Sequence, residues 1–167
     1  MSNSHGNYTS ARQQLISFLQ SQGYQTHPNE VFCPSMGHCW VDVAALKESE
    51  YWAFEYKSRT DSIRRGVEQC CSYAKAFNYV VLVADRCRLS SSRYFFHLVH
   101  QGFGLWRHDG VKFYRIVNPK RHAIDTRHRA VIERQFRRVP KNLDSVRATQ
   151  MSEWLHYSSV ETSRPPA

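Results

Sequence analysis

Apolar positions along the chain recur with two different periods, and the period changes mark its elements. Between residues 9 and 22, Leu15, Ile16, Phe18 and Leu19 share one stripe. Thr9 or Ser10 stands where a cap belongs and Gly23 follows the end, so the spacing predicts a helix. Residues 24–31 read as a short extended segment, and residues 33–38, with Pro34 and Gly37, as a loop. Residues 40–57, WVDVAALKESEYWAFEYK, are apolar on both sides of a polar turn at 47–50 and predict a two-stranded hairpin. Residues 61–77 place Ile63, Val67, Cys70, Ala74 and Phe77 at spacings of three and four, a helix whose second stripe (Asp61, Arg65, Gln69, Tyr73) is polar. Residues 79–84 are continuously apolar, the pattern of a strand buried on both faces. A further helix is expected over 90–101, with Tyr94, Phe95 and Phe96 in the core. Strands over 103–107 and 111–117 flank Asp109-Gly110, a two-residue hairpin signal.

A helix between a hairpin and a buried strand forces a crossover connection, so the expected architecture is α/β, a mixed β-sheet flanked by helices. The hairpin also brings charges together. With the turn at 47–50, Leu46 pairs with Tyr51, and the same register sets Asp42 opposite Glu55. Opposed side chains lie about 5 Å apart, and Glu55 and Lys57, two apart on one strand, project to the same side. Two carboxylates and an ammonium then converge among apolar neighbours. Like charges so placed destabilise a sheet unless neutralised, and a hard divalent cation is a natural neutraliser.

The 167 residues suffice for one domain with a real core, and the net charge of +9 suits a polyanionic partner. That charge is uneven. Residues 115–147 hold ten Lys or Arg against three acids, +7 of the +9, while Val131, Ile132 and Phe136 supply a narrow apolar stripe. A docked basic helix is expected there. It reads either as a solvated helix face or as a grip on phosphates, the latter through Arg127, Arg129, Arg134, Arg137, Arg138 and Lys141. The expected division is a core over 9–118, a basic, helical extension over 119–157, and flexible ends at 1–8 and 158–167. The polar opening MSNSHGNYTS and the absence of a membrane-length apolar window lead to the expectation of a cytoplasmic protein without membrane contact. The cysteines (Cys33, Cys39, Cys70, Cys71, Cys87) are odd in number and lack paired zinc-ligand spacing, which favours reduced core or neutral thiols over a metal site. The nine histidines are scattered, with no partner for acid–base chemistry evident in the sequence.

Asp42, then twelve residues, then Glu55-Tyr56-Lys57, on a hairpin that follows a helix, resembles the core of the PD-(D/E)XK nuclease superfamily. Gln69-Cys70-Cys71-Ser72-Tyr73 on the next helix is similar to the Gln-x-x-x-Tyr pattern of its RecB-like branch. The resemblance implies a restriction-endonuclease-like fold and metal-dependent hydrolysis of DNA phosphodiesters, with RNA left open as a substrate and a homodimer left open as an assembly. It implies that Asp42, Glu55 and the backbone carbonyl of Tyr56 ligate Mg2+ or Mn2+, and that Lys57 orients or deprotonates the attacking water or holds developing charge. Gln69 would position the site, and Tyr73 would contact DNA or support the fold; Arg65, on the same stripe, would meet DNA. One departure is informative: the first helix offers Gln13 and Gln14 but no acid, leaving Glu30 as the alternative third carboxylate. A non-catalytic DNA-binding protein on the same fold and a protein-interaction scaffold are the rival readings.

Overall fold

The computed structural model describes residues 4–35, 39–85 and 93–138. Helix α1 (Ser4–Ser21) begins before the expected cap at Thr9 and buries Ala11, Leu15, Ile16 and Leu19. Two very short strands, β1 (Gln25–Thr26) and β2 (Val31–Cys33), replace the single extended segment expected over 24–31. They join different sheets, so the chain must turn between them. Next come β3 (Cys39–Val41), β4 (Val43–Lys47) and β5 (Glu50–Lys57). The β4–β5 register is as expected, with Leu46 opposite Tyr51. Glu48 and Ser49 both take positive φ (52° and 65°), the two-residue turn whose twist suits antiparallel strands.

Helix α2 (Ile63–Tyr73) is capped by Ser62, whose side chain accepts from the Arg65 amide. It leads to β6 (Tyr79–Asp85), α3 (Arg93–Gln101), β7 (Gly104–His108), β8 (Phe113–Val117) and α4 (Thr126–Arg137). The main sheet is six-stranded and mixed, in the order β1-β4-β5-β6-β7-β8; β5–β6 and β6–β7 are parallel and the other pairs antiparallel. Strands β2 and β3 form a separate antiparallel pair. The α/β expectation therefore holds, with helices on both faces.

Successive residues of a strand face opposite ways, and each face has its own core. On the α1 side, Leu15, Leu19, Val43, Phe54, Val81, Val83 and Trp106 pack together. On the other side, α2, α3 and α4 cover Ala44, Ala53, Val80, Leu82 and Leu105. Each face thus removes several large side chains from water, at roughly 1.5–3 kcal/mol apiece.

Three local expectations are corrected. The β7–β8 connection is not a two-residue turn: His108 pairs with Phe113, and residues 109–112 form the loop. Asp109 accepts from the Val111 and Lys112 amides, which opens the turn beyond Asp-Gly. Phe96 is not core but 77% exposed, whereas Tyr94 and Phe95 pack against the buried cluster. The strand expected over 40–46 breaks at Asp42, where the chain leaves the small sheet for the large one. The expected helix start at Ser90, together with Cys87, Lys141 and the 158–167 end, lies outside the described residues. The basic segment does form a helix. Asp125 caps α4, while Val131 and Ile132 are buried and Phe136 is partly so. Gln135 ties α4 to β2 by accepting from the Phe32 amide and donating to the Phe32 carbonyl.

Candidate active site

Asp42 occupies the bend between the two sheets, and two contacts fix it. The Nε of Arg12 on α1 donates to the Asp42 carbonyl at 2.8 Å, while its Nη2 donates to the Pro28 carbonyl at 3.2 Å. The Tyr56 amide donates to Asp42 Oδ2 at 2.8 Å. The β4–β5 ladder stops at Val43 and Phe54, and beyond it the carboxylate of Asp42 bonds the β5 backbone. Asp42 is thus brought to Glu55, but through its side chain rather than as a regular ladder pair.

Glu55 and Lys57 project from β5 beneath α2 and are 1% and 8% exposed. Lys57 Nζ donates to Glu55 Oε1 at 2.6 Å and to Gln69 Oε1 at 2.9 Å. The Tyr73 hydroxyl lies 2.7 Å from both Glu55 Oε2 and the Trp40 carbonyl, and accepts from Gln69 Nε2 at 3.3 Å. Taking two charges out of water costs several kcal/mol per ion, repaid only where partners satisfy the remaining polar atoms. Here Gln69 accepts from Lys57 and the Tyr73 hydroxyl lies against Glu55 Oε2.

Electrostatics mark Glu55. Burial, reinforced by the charge of Asp42, pushes its carboxyl up to about 8 against the opposing pull of Lys57. Burial also holds the Tyr73 hydroxyl well above its usual range. Asp61, after β5, is drawn below the usual carboxylate range by Ser58, whose amide and hydroxyl both donate to it, although burial acts the other way.

Close approach of α2 to Lys57 depends on Gly66. A Cβ there would stand 2.9 Å from both Lys57 Cε and Leu82 Cδ1. Glycine inside a helix costs about 1 kcal/mol relative to alanine, so the position exchanges helix propensity for proximity. Sequence reasoning passed over Gly66 and Arg12. Gly66 was detectable as an isolated glycine within a strong helical pattern. Arg12 had no signal, because its partners are backbone carbonyls far along the chain.

The other expected residues divide. Gln69 and Tyr73 join the cluster directly, and Arg65 is exposed on the same helix. Glu30 immediately precedes β2, whose first residue Val31 pairs with Val41, the neighbour of Asp42. Even so, no group of three His, Cys, Asp or Glu able to hold a metal ion occurs among the described residues. The α4 arginines lie apart from the cluster. Arg129 pairs with Glu133 at 2.8 Å and lies over Tyr51, toward the hairpin end of β5. Arg127 pairs with its own cap Asp125, while Arg134, Arg137 and Arg138 are exposed.

The opposite face of the same strand end carries a second polar pair: Tyr56 and His108 meet at 3.0 Å between the hydroxyl and Nδ1. Burial, with Asp85 and Asp61 nearby, pushes the Tyr56 hydroxyl up to about 12.

Chemically, the cluster offers two coupled carboxylates, one ammonium and an amide–phenol frame that orients them. No membrane-crossing helix occurs among the described residues. No protein-family model matches the chain, and none of the curated proteins is similar to it in sequence. In structure the chain is similar to the SPO1766 protein of unknown function from Silicibacter pomeroyi, with a TM-score of 0.52 and 19% identity over 88% of this chain and 87% of that one. An XisH family protein from Nostoc punctiforme gives a TM-score of 0.49 and 16% identity over 64% of this chain and 98% of that one. The AF1548 protein of unknown function gives 0.48 and 14%, over 59% of this chain and 56% of that one. The first of these likenesses shows the fold alone.

Proposed function

We propose that the protein is a metal-dependent deoxyribonuclease of the PD-(D/E)XK type, hydrolysing DNA phosphodiesters at the Asp42–Glu55–Lys57 cluster. The observation that carries this reading is the buried Lys57–Glu55 contact at 2.6 Å, framed by Gln69 and Tyr73 and placed beside the Asp42 bend. A structural ion pair needs neither a second carboxylate next to it nor a glycine in the covering helix.

The donor set fits one hard cation. Burial and then the charge of Asp42 raise the pKa of Glu55, so ionising both carboxylates is costly unless a cation offsets their charge. Mg2+ is commonly held by one or two carboxylates with waters completing its shell, which suits a site with no third ligand in place. Bound by Asp42 and Glu55, Mg2+ or Mn2+ supplies a Lewis acid and lowers the pKa of water. Lys57 holds its proton toward Glu55 and Gln69 and offsets negative charge gathering on the phosphate. Tyr73 and Gln69 keep both side chains in place, and Arg12 keeps the Asp42 bend. Arg65 and the exposed arginines of α4 attract the phosphate backbone in a salt-dependent manner.

The test is cleavage of labelled single-stranded, duplex and branched DNA with Mg2+ or Mn2+, alongside Asp42→Ala, Lys57→Ala and EDTA. The expected result is cutting by the wild type that falls by roughly a hundredfold or more in each variant and ceases in EDTA. Binding without cutting under either metal, unchanged in both variants, would overturn the reading in favour of a DNA-binding protein on the same fold.

A further inference from the structure

We propose that Cys33 and Cys39 form a dithiol that hydroperoxides oxidise to an intramolecular disulfide, making this cross-strand pair a redox modification site. The proposal rests on the β2–β3 ladder and is independent of the nuclease reading. Cys33 stands directly opposite Cys39 in antiparallel register. Opposed residues in such a pair have Cα atoms about 4.5–5.5 Å apart, inside the range a disulfide spans. The Ser35 hydroxyl lies 3.7 Å from each sulfur, bridging the two. Both cysteines are free thiols.

The two sulfurs differ as an attacking and a resolving thiol should. Cys39 is half-buried, while Cys33 is fully enclosed. Hydrogen bonding from Cys33, then from Ser35 and Ser72, draws the Cys39 thiol down to about 7 despite partial burial. Burial drives Cys33 the opposite way, well above the usual thiol range. At neutral pH the reachable sulfur is the nucleophilic one, and its reserve partner is shielded from solvent.

In the first step Cys39 thiolate attacks one peroxide oxygen; an S–O bond forms as the O–O bond breaks, and the departing hydroxide takes up a proton to become water. In the second, the Cys33 sulfur attacks the Cys39 sulfenic sulfur. The S–S bond forms, the S–O bond breaks, and the leaving hydroxide carries off the Cys33 proton as a second water. The two thiols lose two electrons and the hydroperoxide gains them.

This pair abuts the candidate active site. Trp40, whose carbonyl meets the Tyr73 hydroxyl, follows Cys39, and Cys33 Sγ lies 3.8 Å from the Ser72 carbonyl. Oxidation would therefore tighten the strand that braces Tyr73.

Trypsin makes the test direct, because residues 13–47 contain no internal Lys or Arg and carry Cys33 and Cys39 alone. The full-length reduced protein is treated with hydrogen peroxide, quenched with N-ethylmaleimide and digested. The 13–47 peptide is expected to lose two hydrogens and to take up no maleimide, well before the 66–75 peptide bearing Cys70 and Cys71 changes. Without peroxide, Cys39 should alkylate roughly tenfold faster than Cys71 at pH 7, an advantage abolished in urea. In Cys33→Ser, Cys39 should accumulate as a sulfenic acid that dimedone traps; in Cys39→Ser, Cys33 should stay reduced. Two maleimides on 13–47 while 66–75 is oxidised, or equal oxidation of Cys33 with and without Cys39, would overturn the proposal.

Discussion

Strand β5 presents two faces of opposite chemistry. Toward α1 it offers Trp52, Phe54 and Tyr56, and the Phe54 ring meets Tyr24 at 6.0 Å and Trp106 at 5.2 Å between centroids. Toward α2 it offers Glu55 and Lys57, ionisable and nearly as buried as the aromatics. The aromatic face gains stability from area removed from water. The polar face spends some of it to hold two ionisable groups away from water. A strand alternates its side chains, so each face fixes the other: aromatic packing on one side determines where the carboxylate and ammonium on the other can stand.

The sharpest way to separate the faces is Phe54→Ala against Lys57→Ala. Phe54 is fully buried, and its loss should cost about 3–5 kcal/mol through lost transfer energy and a residual cavity, read as a lower urea midpoint. Lys57→Ala should keep a cooperative transition while losing cleavage. Were the two variants equally destabilised, the polar face would be scaffold rather than site.

Next in size is the pH response of Glu55. Its folded-state pKa, about 8, lies above the ordinary 4.5. Between these values the native state keeps a proton that the unfolded chain has released, so this contribution to stability is full below the ordinary value and lost as pH rises to about 8. The slope approaches about 1.4 kcal/mol per pH unit at most. Denaturation in EDTA across pH 5–9 should show stability falling with pH, and Glu55→Gln should flatten that fall. An unchanged slope in Glu55→Gln would mean that another group titrates.

Tyr73→Phe follows. It removes a hydroxyl within 2.7 Å of both Glu55 Oε2 and the Trp40 carbonyl and leaves one of these buried oxygens short of a donor, at about 1–3 kcal/mol. The aromatic face should not register it: near-ultraviolet circular dichroism from Trp52 and Trp106 should match the wild type, while the urea midpoint drops. A changed aromatic signal would mean that the two faces are coupled through Tyr73.

These contrasts also explain what the sequence disclosed. The register of the β4–β5 hairpin followed from one polar turn, because strand alternation then leaves no freedom: Leu46 opposite Tyr51 dictates the rest. The polar stripe Gln69–Tyr73 was legible for the same reason, through a fixed helical period. What stayed hidden depends on distant backbone. The Asp42 bend arises where the chain changes sheets, and Arg12 holds it through carbonyls that carry no sequence signature. The enclosure of Cys33 opposite Cys39 needed the short β2–β3 ladder, which three-residue strands do not announce. The basic helix was legible as a helix, but not its place, since Gln135 contacts Phe32 through main-chain atoms.

The smallest expected effect asks whether chemistry belongs to the whole α2 face or to one end of it. Tyr51 lies in the same core as Ala53, on the Glu55 side of β5, but at the hairpin end, four residues and roughly 13 Å away. Arg129 covers its ring at 5.6 Å and pairs with Glu133. Because both members of that ion pair are partly solvated, Arg129→Ala should cost no more than about 1 kcal/mol. Cleavage at fixed low salt should be unchanged if the cluster at the carboxyl end acts alone. A loss of cleavage with the urea midpoint preserved would instead extend the phosphate path along the full length of β5, and Arg134→Ala and Arg137→Ala would then weaken DNA binding with a shallower salt dependence.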